Sequence, residues 1–451
     1  MNPRIVALIT PFFDAGTPGG GVLYSVDVVR EWLRRGRRVH VLTSTRPREL
    51  ADLRAPVARG DLKLHFVASA EHVRFTHVPF GDVYDAARRE LDATEPDVIH
   101  VHNTQGMLSA VRAALDAAAA PTILTALDFG LICLNHCLVD GTPDPCSGPE
   151  SPGKCRRCLA RGGLRGVPGL AARLMPSVLT RRIWPRYVRL EHYKTADQCL
   201  DLMRSILRDL DGIVAPSPSL ARKLIEYGAP PERVHEVLYG VAPEKVVRPP
   251  KTHSARVRLA FLGGTDPIKG LAVLLEAARR LPEDLSLDIL ALGGAALAGV
   301  LARADARAAR YIRAVPARFG RELGKAHAEF DAVLVPSQCH ENSPFVILES
   351  FANGTPVIAS DQPGIRHLVW EGRNGWLVRA DCPQAWAEVL SRAARNPEQL
   401  RAMRQSTHFD RTTADFVDDL QEIEAAIRRA RALGKCVRQV DTSRLVSAAL
   451  A

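Results

Sequence analysis

Short apolar runs alternate with amphipathic stretches along almost the whole chain. In the first half, Arg4–Thr10, Arg38–Thr43, Leu62–Val67, Val98–His102, Thr122–Thr125 and Gly212–Ala215 are rich in Val, Ile and Leu and read as buried strands. A helix is predicted over Leu23–Arg35, behind a glycine-rich loop with Gly16, Gly19, Gly20 and Gly21. A Pro- and Lys-containing connector, Val241–Ser254, interrupts the alternation. It restarts with strands at Arg258–Leu262, Leu285–Leu292, Arg310–Ala314, Ala332–Val335, Pro356–Ala359 and Trp376–Val378, and ends in helices over Pro383–Ile427. Strands that alternate with helices predict parallel sheets covered on both faces. The fold class is therefore α/β, with two facing Rossmann-like, doubly wound domains and a cleft at the carboxyl ends of their strands. The expected bounds are 1–240, a linker at 241–254, and 255–410, with 411–451 as terminal helix and tail. A cysteine-rich insertion falls at about 130–195.

A length of 451 residues suits two cores better than one. The opening MNPRIVALITPFF has too short an apolar run for a secretory leader, and no stretch approaches the roughly 20 apolar residues that span a bilayer. A cytoplasmic location is expected. The net charge of +10 favours anionic partners. No nucleic-acid motif accompanies it, so nucleic acid is not an expected partner. The basic excess is concentrated at 154–194, where Lys and Arg are interleaved with Leu164, Leu170, Leu174, Met175, Ile183 and Trp184, and Glu191 is the one acid. Such a stretch either lies on the inner membrane face as a peripheral contact or forms a solvated Arg-rich surface.

The densest chemistry lies between Val335 and Val378, VPSQCHENSPFVILESFANGTPVIASDQPGIRHLVWEGRNGWLV. Ser343 suits an N-cap and Pro344 a first helical position. Phe345–Ala352 then reads as an apolar helix, with Gly354 at its left-handed C-terminal cap. Glu341 falls just ahead of that helix and Glu349 inside it. Between them, the N–H groups near Phe345 and Val346 and the positive end of the helix dipole make a site for a diphosphate.

This segment resembles the signature region of retaining family-4 glycosyltransferases, including the GTPVIAS strand and GRNGWLV turn. The resemblance implies the two-domain GT-B architecture, with the terminal helix crossing back onto the first domain. It implies a nucleoside-diphosphate sugar donor, Glu349 on its ribose hydroxyls, Glu341 on its sugar, and no cofactor for transfer. RLAFLGGTDPIKG places Gly263 and Gly264 in a tight turn and Lys269 before a helix. On its own Lys269 could be a plain surface lysine. By resemblance it neutralises diphosphate charge as the sugar leaves. Relatives often carry arginine where this chain has Gly264, which leaves Lys269 alone or helped by Arg318 or His340.

In the first domain, Gly20 and Gly21 would allow close approach of a phosphate or sugar. DVIHVHN puts His100 and His102 on one face of a strand end, with His102 nearer the substrate side. Many relatives have His-Asp where this chain has Leu127-Asp128. Leucine offers no side-chain hydrogen bond, so Asp128 is the remaining candidate for acceptor contact. Asp209 and Asp211 mimic a metal-binding D-x-D but fall at a helix–strand junction and read as surface.

Cys133, Cys137, Cys146, Cys155 and Cys158 cluster in sequence, the last two as CxxC. Four thiolates suit a structural zinc, and an iron–sulfur cluster stays open. By resemblance to a subset of family-4 enzymes the four are Cys133, Cys146, Cys155 and Cys158. Cys199, Cys339, Cys382 and Cys436 read as structural. The expected activity is transfer to a glycan or lipid-linked acceptor, in polysaccharide or glycolipid assembly. A sugar-nucleotide 2-epimerase of the same fold, a catalytically impaired sugar-nucleotide binder and a cysteine-organised scaffold are the alternatives.

Overall fold

The computed structural model describes residues 4–14, 19–44, 46–69, 80–117, 120–139, 146–163, 196–252 and 254–433. Most of the basic stretch predicted at 154–194 lies outside these residues, as does Cys436. The chain forms two compact units. Among the described residues, one runs up to Val237 and takes the chain back over 416–433, and the other is Leu238–Asp415.

The first unit holds seven parallel strands in the order β3-β2-β1-β4-β5-β6-β7. These are β1 (Ile5–Ile9), β2 (Arg38–Thr43), β3 (Leu62–Phe66), β4 (Val98–Val101), β5 (Thr122–Thr125), β6 (Gly212–Ala215) and β7 (Val234–Glu236). The last has only three residues, too few for its sequence to announce a strand. It is held because Val234–Glu236 pairs in register with Ile213–Ala215. Val6, Ala7, Leu8 and Ile9 are all 0 % exposed, which is why the strand is apolar on both faces. The helix Gly20–Arg34 follows β1 and begins earlier than predicted.

The terminal helix Thr413–Ala432 completes this unit. Phe416, Leu420, Ile423 and Ile427 repeat at helical spacing and are fully buried. Phe416 packs edge-on against Tyr24, with ring centroids 5.3 Å apart.

The second unit holds six parallel strands in the order β10-β9-β8-β11-β12-β13. They are β8 (Val257–Phe261), β9 (Leu287–Gly293), β10 (Ile312–Pro316), β11 (Ala332–Val335), β12 (Val357–Ser360) and β13 (Gly375–Val378). In both sheets the strand order reverses beside the first strand of the unit, at β1/β4 and β8/β11. That reversal is where open α/β sheets bind ligands. The connector expected at 241–254 is not a free linker. The amide of Val241 donates to Arg411 O, that of Thr252 to Ala328 O, and Lys251 pairs with Asp331 at 3.2 Å, all within the second unit. Among the described residues, no helix is long and apolar enough to cross a membrane.

Candidate functional site

In the second unit two strand-end loops meet at the β8/β11 reversal. After β8 come Gly263 and Gly264, the latter at φ +66, and then a single turn over Pro267–Lys269. Asp266 starts that turn by accepting from the amide of Ile268 at 3.2 Å. Gly270 follows at φ +80, and a Cβ there would run into the Pro336 carbonyl. The loop after β11 is stitched to this one, with the Gln338 amide donating to Ile268 O at 2.7 Å. The two loops bring Lys269 and Glu341 together. The Lys269 ammonium donates to Glu341 Oε1 at 2.9 Å, and the Ser337 hydroxyl donates to the same oxygen at 2.6 Å. Lys269 is 38 % exposed and Glu341 12 %, so the pair is reachable from solvent while the carboxylate is firmly seated.

The helix Phe345–Ala352 forms as the sequence predicts, but its start differs. Pro344, not Ser343, is the cap, and Ser343 adopts φ +64. Remote partners override the local preference. The Ser343 amide donates to Gly364 O at 3.2 Å, and its hydroxyl contacts His367 Nε2 at 3.0 Å. Gly364 has no room for a side chain, because a Cβ there would strike the Glu341 carbonyl. Sequence reasoning missed Gly364. Its signal was a glycine following Pro363 after a strand, inside the same signature segment. The amides of Ile347 and Leu348 donate to Pro344 O at 2.9 and 3.4 Å. Phe345 and Val346 lie in the first turn, whose N–H groups point out of the helix end. The Phe345 ring stacks on Tyr239 at 4.6 Å between centroids.

Glu349 sits in the second turn, where Lys245 donates to its Oε1 at 3.1 Å. Lys245 comes from the connector, whose amides Val247 and Arg248 are bound by Asn353 Oδ1 at 2.8 and 3.3 Å. Gly354 follows the helix at φ +67, the left-handed position expected of it. Arg318 pairs with Glu329 at 2.6 Å rather than with any of these groups.

The first unit treats its predicted residues differently. Gly20 and Gly21 form the first turn of the Gly20–Arg34 helix, not a loop, with Gly19 as its cap. A Cβ on Gly21 would make only ordinary van der Waals contact with Leu127, at 3.5 Å, so the space there does not demand glycine. His102 does not reach outward. It is 1 % exposed, and its Nδ1 bonds to the Ser25 hydroxyl at 3.0 Å. Burial, together with the charge of neighbouring His100, pushes its pKa down to about 3, so the ring is neutral. His100 and His102 do share a face, and both rings lie against Trp32, at 4.9 and 6.1 Å. That face looks into the core. His100 Nε2 meets Glu424 Oε1 at 3.0 Å, and Arg37 pairs with the same carboxylate at 3.2 Å. Burial alone would raise the Glu424 pKa, but the His100 hydrogen bond and the Arg37 charge outweigh it and hold the group ionised.

Asp128 lies just beyond β5, with Oδ1 taking the Gly130 amide at 2.7 Å and Oδ2 the Asn103 amide group at 2.8 Å. His136, which sequence reasoning passed over, stands 3.5 Å from the same carboxylate. Asp209 and Asp211 are structural. Asp209 pairs with Arg112 at 2.5 Å, and Asp211 accepts the Thr122 amide at 2.8 Å. Cys133, Cys146, Cys155 and Cys158 border one cavity of about 280 Å³, and Cys137 does not. Among the described residues no three His, Cys, Asp or Glu side chains stand together as a set for one metal ion.

Comparison with known proteins bears on the whole chain. The family described as glycosyl transferase 4-like domain matches residues 19–240, and that described as glycosyl transferases group 1 matches 256–396. A D-inositol 3-phosphate glycosyltransferase of Streptosporangium roseum is 37% identical over 43% of this chain and 49% of its own length. One from Thermobispora bispora is 35% identical over 43% and 50%. The chain thus spans about half the length of these curated relatives. Among solved structures, Anabaena HepE in complex with UDP-glucose is 14% identical at a TM-score of 0.58, covering 95% of this chain and 99% of that one. The sucrose-phosphate synthase of Thermosynechococcus elongatus reaches 0.62 at 15% identity, covering 95% and 98%. At such identities the likeness speaks for the two-domain Rossmann-like fold. Two consecutive domain matches, on a fold shared with known glycosyltransferases, place this chain in glycosyltransferase family 4.

Proposed function

We propose that this protein is a retaining transferase that moves a glycosyl group from a nucleoside-diphosphate sugar to an acceptor hydroxyl, in polysaccharide or glycolipid assembly. The observation that carries the reading is the Lys269–Glu341 pair at 2.9 Å, set ahead of the Phe345–Ala352 helix that bears Glu349. Lys269 has three N–H donors, so it can keep Glu341 and still donate a hydrogen bond to a phosphate oxygen. The amides of Phe345 and Val346 and the helix dipole add positive potential beside it. As the bond to the sugar breaks, negative charge grows on the departing diphosphate, and preorganised donors lower that barrier most. Gly263 and Gly264 let the phosphates approach the backbone closely.

Glu341, fixed by Ser337, takes sugar hydroxyls and faces the positive charge that develops at the anomeric carbon. Glu349, held by Lys245, takes the ribose hydroxyls, as an acid does in dinucleotide folds. The acceptor attacks from the side the diphosphate leaves, which preserves the anomeric configuration. The UDP-glucose complex of HepE supports a sugar nucleotide as donor.

The test is a panel of nucleoside-diphosphate sugars offered to purified protein with membrane extract, reading released diphosphate and glycosylated product by mass spectrometry. Glu349→Ala should raise the donor KM, and Glu341→Ala should lower kcat. Donor converted to its epimer without any acceptor, or wild-type kinetics in both variants, would overturn the reading.

A further inference from the structure

At the amino ends of the second unit's central strands, positive charge collects without enough acids to balance it. This is the opposite end from the loops that carry Lys269 and Glu341. Arg258 stands near the start of β8, and Asp331 immediately precedes β11. Their backbones are joined, the Asp331 amide donating to Arg258 O and Asp331 Oδ2 accepting the Arg258 amide, both at 2.7 Å. Asp331 Oδ1 pairs with Lys251 of the connector at 3.2 Å. Arg404, on the helix Pro397–Ser406, donates to the connector carbonyl of Pro249 at 3.3 Å and to the Thr355 hydroxyl at 3.2 Å.

The neighbouring groups do not complete the balance. Asp288, in register with Arg258 on β9, is taken by Arg256 at 2.8 Å. His327 meets the same Thr355 hydroxyl at 3.0 Å, and burial with the Arg404 charge pushes its pKa down to about 3, so it is neutral. Lys251, Arg258 and Arg404 are thus left to share the Asp331 carboxylate, with positive charge in excess among the described residues.

Two observations mark a missing counter-ion. Arg258 Nε is buried with no acceptor, whereas buried polar groups are normally paired. Burial lowers the pKa of Lys251, the charges of Arg404 and Arg258 lower it further, and burial lowers that of Arg404. Every other lysine or arginine whose pKa is displaced, among the described residues, moves upward. Lys251 keeps 23% of its side chain in water and both arginines are half-buried, so a small ion can reach them. Forked guanidinium donors beside an ammonium suit a tetrahedral oxyanion that carries close to two charges at neutral pH, which is a phosphate group.

We infer that Lys251, Arg258 and Arg404 bind a phosphate group, free or on a small ester, at a site separate from the Lys269–Glu341 pair. Isothermal titration of the full chain with inorganic phosphate should show a site that persists in Lys269→Ala. In Arg258→Gln it should weaken about tenfold or more, the loss of one charge-assisted bond. Phosphate should also raise the thermal unfolding midpoint above its value in potassium chloride of equal ionic strength. Titration with glycerophosphate separates the sources, since equal affinity assigns the site to the free ion and about tenfold tighter binding assigns it to an ester. No heat of binding, an equal midpoint in chloride, or full affinity in Arg258→Gln would each overturn the inference. So would loss of binding in Lys269→Ala, which places the phosphate at the other end of the strands. Should Arg258→Gln prove insoluble, Arg404→Gln makes the same test.

Discussion

The two units carry similar parallel sheets but use their polar residues in opposite ways. In the second, Lys269, Glu341, Lys245 and Glu349 pair at strand and helix ends and keep part of their surface in water. In the first, Arg37, His100, His102 and Glu424 are all nearly or fully buried, beneath or beside the Gly20–Arg34 helix and the terminal helix. An ion pair at a strand end can be handed to a substrate, while one inside a core can only be kept. Substitutions should therefore separate cleanly, with turnover lost in one unit and stability in the other.

The largest effect is expected at Glu424. Glu424→Ala leaves the Arg37 cation and His100 buried without their carboxylate, at a cost of about 3–5 kcal/mol. Urea unfolding followed through Trp32 fluorescence should show the earlier midpoint, and an unchanged midpoint would break the contrast. Lys269→Ala should do the reverse, lowering kcat about a hundred- to a thousand-fold with the same unfolding curve. Gly364→Ala sharpens the contrast, because its new methyl must displace the Glu341 backbone. Roughly a hundred-fold loss of kcat is expected from so small a misplacement, with circular dichroism unchanged.

His102 supplies a pH test. Its pKa is about 3 in the fold and about 6.5 in an unfolded chain, so below pH 6.5 the unfolded state takes up a proton the folded state refuses. The stability it contributes is complete above that pH and falls by roughly 1.4 kcal/mol per unit down to about pH 3. His102→Gln should flatten that slope in a pH series of unfolding midpoints. The smallest effect is Ser25→Ala, which leaves the His102 Nδ1 without its hydroxyl at a cost of about 1 kcal/mol. A loss of turnover larger than its loss of stability would place His102 in the chemistry after all.

What could be read in advance followed the length of chain that a feature needs. All six strands of the second sheet and the helix bearing Glu349 rest on local apolar pattern and were legible. So was the Glu341–Glu349 spacing, which spans one loop and one helix. Lys269 beside Glu341 joins loops 72 residues apart, and only the resemblance, not the spacing, pointed to it. Ser343 has every local mark of a cap, yet the backbone of Gly364 claims its amide. His102 looked outward because strand ends usually do; what covers it, Trp32 and Ser25, is remote in sequence. Gly20 and Gly21 read as loop because glycine is a poor helix former, yet they open the Gly20–Arg34 helix. The four-of-five choice among the cysteines came from the resemblance, since spacing alone could not separate Cys137 from Cys146.

The carboxylate that neutralises Arg37 arrives 387 residues later, on the terminal helix. During synthesis, most of the polypeptide leaves the ribosome before the opening half receives the helix that finishes its interior. The first unit is therefore complete only when the terminal helix has been made, unlike a domain built from one continuous stretch. A nascent chain stopped before residue 424 lacks the carboxylate that pairs with Arg37, so burial of that cation waits for the terminal helix.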